Sequence, residues 1–80
     1  MIIGIKNATY LADYKILFLF SDDTEKTIDF EHFLADAKNP MTRKYLDRKL
    51  FQSFSLIYGD ISWNDYELCF PVWDLYQGNL

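Results

Sequence analysis

The sequence predicts an α+β fold: one small antiparallel β-sheet of about five strands, a three-stranded meander plus a hairpin, with two short helices in a second layer. Three observations carry this. Apolar residues alternate through residues 14–20 and 26–30, the period of strands with a buried face. Leu46 and Leu50 then stand four apart among charged residues, the spacing of one helix face. Aromatic residues make up 19% of the 80 residues, giving a short chain large side chains with which to close a core.

The first strand is read over residues 2–10, with Ile3 and Ile5 on one face and a polar, β-branched mixture on the other. Leu11-Ala12-Asp13 is short enough to turn the chain into an antiparallel neighbour. In that neighbour, YKILFLF, the side chains of Tyr14, Ile16, Phe18 and Phe20 share one face and Lys15, Leu17 and Leu19 the other. Both faces are largely apolar, which places this strand inside the sheet rather than at its edge. Ser21-Asp22-Asp23-Thr24 is a polar turn, and residues 26–30 alternate again with Ile28 and Phe30 inward and Thr27 and Asp29 outward.

From residue 31 to 39 the alternation stops; Phe33 and Leu34 read as isolated apolar residues, and Asn39-Pro40 marks a break. MTRKYLDRKLFQ, residues 41–52, reads as one short helix with Tyr45, Leu46, Leu50 and Phe51 on its inner side. SFSLIYGDISW reads as a second hairpin, with Phe54, Leu56 and Tyr58 alternating against Ser53, Ser55 and Ile57 and a turn at Gly59-Asp60. Pro71 suits the first turn of a terminal helix reaching about Gln77, and Gly78 is placed to stop it. No repeat or internal linker interrupts residues 1–80, which read as a single domain.

Size and charge narrow the function classes. A chain of this length buries only about 60–65% of the surface its unfolded form exposes, so its stability rests on a few large side chains. A formal net charge of −4 disfavours non-specific binding to phosphate or anionic lipid. The single cysteine, Cys69, has no partner for an internal disulfide, and the N-terminal MIIGIKNATY lacks a secretory signal pattern. The longest apolar run spans residues 16–20, far below the ~18–20 residues of a membrane span. The expectation is a soluble cytoplasmic protein, complete as it stands, that does not engage a membrane.

The stretches YKILFLFSDDTEKTIDF, YLDRKLFQSF, GDISW and PVWDLY, in that order and spacing, resemble the bacterial family called domain of unknown function 2442 over nearly the whole chain. The glycine of that family's strand-ending Phe-Ser-Asp-Gly turn is Asp23 here, and its Trp-Pro-Asn is represented by Trp63-Asn64. If the turn needs positive φ, Asp23 adopts it less readily than glycine. The resemblance implies a small antiparallel-sheet protein with short helices. It also implies a setting similar to a toxin–antitoxin pair, with some relatives joined to helix-turn-helix domains, and it supplies no catalytic residues. Phe20, Asp29, Leu46, Phe51, Trp63, Leu75 and Tyr76 are the matching positions and look like fold determinants.

Chemistry-bearing constellations are sparse. The single histidine, His32, and Cys69 could form a nucleophile–base pair only if an unexpected cavity gathered them with Asp29, and a cysteine between Leu68 and Phe70 reads as a small buried hydrophobe. Asp29, Glu31 and His32 match no metal-ligand spacing, so neither a metal nor another cofactor is expected. Asp22, Asp23 and Glu25 read as a solvated hairpin tip. The expected core includes Phe18, Phe20, Leu46, Phe51, Trp63, Trp73 and Tyr76, with the terminal helix laid over the sheet.

Arg43, Lys44, Arg48 and Lys49 are half of the basic residues; with Asp47 their segment carries +3 and leaves −7 on the rest. On a continuous helix they form a basic stripe opposite Leu46 and Leu50, the candidate partner-binding residues. The expected function is therefore non-catalytic: an interaction module for a small, basic protein partner, antitoxin-like by the family resemblance. The alternative is a nucleic-acid-binding or regulatory protein that uses residues 43–49, as a homodimer in one version.

Overall fold

The computed structural model describes residues 3–64 and 66–78. The start of the expected first strand, at Ile2, lies outside them. The chain runs β1 (Ile5–Ala12), β2 (Lys15–Phe20), β3 (Glu25–Asp29), α1 (Glu31–Asp36), α2 (Pro40–Arg43), a 3₁₀ turn (Lys44–Leu46), α3 (Arg48–Phe51), β4 (Ser55–Ile57), β5 (Asp60–Trp63), β6 (Leu68–Cys69) and α4 (Val72–Gln77). The fold is α+β, but the single sheet of about five strands is instead two antiparallel sheets of three, ordered β1-β2-β3 and β4-β5-β6.

The expected meander is the first sheet. Its central strand β2 pairs with both neighbours, Ala8 opposite Phe18 on one side and Phe18 opposite Lys26 on the other. The alternation of β2 then acts directly: Ile16, Phe18 and Phe20 are buried. The turn into β3 needs a left-handed residue, and Asp23 provides it with φ 68° while its amide donates to the Phe20 carbonyl at 2.9 Å. Lys6 Nζ holds the exposed Asp23 carboxylate at 2.8 Å.

The expected hairpin is also present, but its two-residue loop is Tyr58-Gly59 rather than Gly59-Asp60, with Ile57 opposite Asp60. Both loop residues have positive φ, 51° and 84°, the twist that joins right-handed strands closely. Tyr58, read as the last residue of the first strand of this hairpin, therefore sits fully exposed at the tip. A third strand, β6, pairs with β5 on its other side, which explains why Ile61, Ser62 and Trp63 are all buried.

The sheets meet corner to corner. Ile5 N donates to the Gly59 carbonyl at 2.9 Å, and Gly4 lies beside Gly59, where a Cβ on Gly59 would meet the Gly4 Cα at an ordinary contact distance of 3.5 Å. Register shifts near each end of β1 bend that strand, so the two ladders do not merge into one.

The helical segments depart furthest from the expectation. Residues 31–39, read as aperiodic, contain α1; Phe30, Phe33, Leu34 and Ala37 in fact stand at i, i+3, i+4 and i+7. The helix expected over residues 41–52 is three pieces. Asn39 caps α2 by accepting from Met41 N, with Pro40 at the first position. Asp47 is extended, φ −68° and ψ 116°, and its carboxylate accepts from Lys49 N at 2.9 Å, so it ends the 3₁₀ turn and starts α3. A good N-cap within a helix-forming run competes with continuing the helix. Pro71 precedes α4 and Gly78, at φ 72°, closes it.

The core is an aromatic cluster between the sheets and helices. Phe30 meets Phe70 at 5.0 Å, Phe51 at 5.7 Å and Trp63 at 6.0 Å between ring centroids, while Phe51 stacks on Trp63 at 5.8 Å. Trp63 Nε1 donates to the Phe51 carbonyl at 2.7 Å, satisfying the one polar atom of that side chain. Among the described residues no helix is long and apolar enough to cross a membrane.

Candidate functional site

Three surfaces gather the residues singled out by the sequence: the basic segment 43–49, the aromatic end of α4, and an open groove beside β3. The basic residues do not form a stripe, because Asp47 breaks the helix that would have aligned them. Arg43 ends α2 and Lys44 opens the 3₁₀ turn, whereas Arg48 and Lys49 belong to α3. Lys44 Nζ is paired with Glu67 Oε1, and Arg48 Nη1 lies 3.3 Å from Asp13 Oδ1. Among the described residues Arg43 and Lys49 make no ion pair.

Lys44 belongs to a compact network. Glu67 also accepts from the Tyr45 hydroxyl at 2.8 Å and from Asn64 Nδ2 at 3.3 Å. The Lys44 ammonium, followed by the Tyr45 hydroxyl, holds the Glu67 carboxyl below its usual range. Burial, reinforced by the neighbouring carboxylate, pushes the Tyr45 phenol up to about 12. These groups tie the helical segment to the turn after β5, a structural use of a lysine that the sequence offers for binding.

The aromatic end of α4 is only partly core. Leu75 is buried, and Tyr76 is half-buried with its ring edge-on to Phe20 at 5.1 Å. Trp73, expected in the core wall, is 55% exposed and stacks on Tyr76 at 5.4 Å, 6° from parallel. The reason is helical geometry: Leu75 takes the inward position of this six-residue helix, which turns Trp73 away. Of the other expected core residues, Phe18, Phe20, Phe51 and Trp63 are buried and Leu46 is half-buried. The Leu46 carbonyl accepts from the Tyr14 hydroxyl.

Tyr76 reaches the acidic turn as well. Its hydroxyl donates to Asp22 Oδ2 at 2.5 Å, and Thr24 N donates to Asp22 Oδ1 at 3.0 Å; the phenol first and then the amide lower the Asp22 carboxyl below its usual range. The hairpin tip is solvated as expected, yet one of its carboxylates is held by the last helix. No spacing rule could reveal that link, since the two residues are 54 positions apart.

The groove, roughly 670 Å³ and open to solvent, runs between β3 and α1, with Gly78 at one side. Lys26, Ile28, Asp29, His32, Phe33 and Asp36 are among its lining residues. It gathers His32 with Asp29, but Cys69 is not among the lining residues; Cys69 is exposed on β6 rather than buried as expected. Among the described residues no group of three or more His, Cys, Asp or Glu side chains is arranged to hold a metal. The groove thus presents a strand edge, the carboxylates of Asp29 and Asp36 and the partly exposed ring of Phe33.

Comparison of the chain with protein-family models, with curated proteins and with solved structures finds no significant match.

Proposed function

We propose that this chain is a non-catalytic interaction module that binds a small, basic partner protein, as the antitoxin-like member of a pair. The observation that carries the reading is the exposure of large aromatic rings on an acidic chain: Trp73 and Tyr66 are about half exposed and Tyr58 fully so, in addition to the aromatic residues that fill the core. Tryptophan and tyrosine are the residue types most often found as binding anchors, and an excess of acids speeds encounter with a basic surface. The antitoxin-like setting rests on the family resemblance alone. Nucleic-acid binding through residues 43–49 is the weaker reading, because Lys44 and Arg48 are engaged by Glu67 and Asp13 and the segment is not one helix face.

The test is a tagged pull-down from lysate of the native host at moderate salt, one half treated with nuclease, alongside Trp73→Ala. A small basic protein recovered near equal stoichiometry in both halves, and depleted by Trp73→Ala, supports the module. Nucleic acid recovered and then lost on nuclease treatment or on reversing Arg43, Lys44, Arg48 and Lys49 to Glu would replace it with the alternative.

A further inference from the structure

The two outer strands of the first sheet are not equivalent. β1 uses part of its outer side on the second sheet, through the Ile5–Gly59 bond. β3 pairs with β2 only. The phase of that pairing decides which groups of β3 remain open. Phe30 N donates to the Tyr14 carbonyl and Phe20 N to the Thr24 carbonyl, both at 2.8 Å, and Ile16 lies opposite Ile28. The even-numbered residues of β3 therefore bond to β2, and Glu25, Thr27 and Asp29 turn their N–H and C=O groups outward. Among the described residues no backbone hydrogen bond takes them up.

We infer that the β3 edge receives an extended strand of the partner protein carrying basic side chains at two positions four apart, opposite Glu25 and Asp29. This rests on the partner-binding reading and names the segment involved. Strand addition satisfies the open backbone groups, and alternate side chains then set specificity. On the outer face the added strand meets the exposed Glu25, Thr27 and Asp29. On the other face its side chains enter the groove, where Ile28 and Phe33 favour an apolar residue and the charges of Lys26 and Asp36 oppose each other.

Charge also argues against a second copy as the occupant. A two-fold pairing of β3 with itself about Thr27 sets Glu25 against Asp29. About Lys26 it sets Lys26 against Lys26, and about Ile28 the ladder shortens because Glu25 falls opposite Glu31, which already belongs to α1. The first two registers oppose like charges, and the acidic pairs among them are what a basic strand turns into attraction.

The test uses the full, isotope-labelled chain and a short synthetic peptide built on Lys-Val-Thr-Val-Lys, with a twin carrying Glu at both Lys positions. The lysine peptide is expected to shift and protect the amides of Glu25, Thr27 and Asp29 and to bind about tenfold more tightly than its twin. The double variant E25K/D29K should invert that preference. Thr27→Pro, at an edge position that tolerates proline, should abolish binding of both peptides. Should Thr27→Pro fail to fold, the inversion by E25K/D29K decides alone. Equal affinity for the two peptides, perturbation elsewhere, an unaltered preference in E25K/D29K, or a wild-type homodimer that competes with the peptide would each overturn the inference. A partner protein that binds E25K/D29K as well as wild type would sink the edge site while leaving the module standing. Inverted peptide preference without any recoverable partner protein would do the reverse.

Discussion

Replacing Trp63 by alanine tests the aromatic core directly. The side chain is 0% exposed, its ring stacks on Phe51 at 5.8 Å, and Phe30, Tyr45, Phe54 and Phe70 stand within 6.2 Å of it by ring centroid. Removing a buried tryptophan costs about 3–5 kcal/mol, since transfer and cavity terms add. Domains hold roughly 0.05–0.15 kcal/mol per residue, so this chain has on the order of 4–12 kcal/mol to lose. Trp63→Ala is therefore expected to be unfolded or within a few kcal/mol of unfolding. Trp63→Phe keeps a ring but leaves the Phe51 carbonyl without its 2.7 Å donor, for about 1–3 kcal/mol from the orphaned acceptor, with the smaller ring adding to it. Trp73→Ala, which loses only a half-exposed stack on Tyr76, should cost less than about 1 kcal/mol. Urea unfolding followed by far-ultraviolet circular dichroism ranks the three without relying on tryptophan fluorescence. If Trp63→Ala stays within about 1 kcal/mol of wild type, or Trp73→Ala proves the costlier, the assignment of core and surface tryptophans is refuted.

The phenol of Tyr45, raised in the folded state to about 12 from the ordinary ~10, contributes stability that is fully present below pH ~10 and is lost as pH climbs to about 12. One of the six tyrosines should thus titrate late by phenolate absorbance, and Glu67→Gln should bring it down only part of the way, because burial is the larger cause. At the acid end, the lowered carboxyls of Glu67 and Asp22 contribute stability above the ordinary carboxylate range that disappears as pH falls through their folded values. Tyr76→Phe should raise the Asp22 midpoint toward the ordinary range in an NMR titration; an unmoved midpoint would rule out the hydroxyl as its cause. Gly59→Ala places a side chain at a left-handed φ of 84°, where the nearest atom, the Gly4 Cα, is at an ordinary contact distance of 3.5 Å; the backbone alone sets the cost, and a loss on the order of 1–2 kcal/mol is expected in thermal or urea unfolding.

Much of the first sheet is written locally. The alternation from Tyr14 to Phe20 places β2 at the centre, because a strand apolar on both faces belongs between neighbours, and the polar run over residues 21–24 marks the turn that follows it. Pro71 and Gly78 mark the last helix for equally local reasons. The stripe of Phe30, Phe33, Leu34 and Ala37 was legible too, but it begins inside a strand pattern, where Phe30 serves both periods. The remainder depended on contacts between distant residues. Asp47 is a better N-cap than helix-interior residue, but the helix-forming residues around it compete for continuity, and the cap that results dissolves the basic stripe. Trp63 and Trp73 have the same intrinsic preference for burial; Trp63 won a place beside the Phe51 carbonyl, while Leu75 took the inward position on α4. That the two ladders touch through the Ile5–Gly59 bond yet stay separate sheets is settled between residues far apart in the chain. The open edge of β3 is likewise a property of what the rest of the chain leaves uncovered. Periodicity and turn chemistry act over a few residues and can be read from the sequence alone. Competition for a shared interior is a property of the whole chain, and only the tertiary structure decides it.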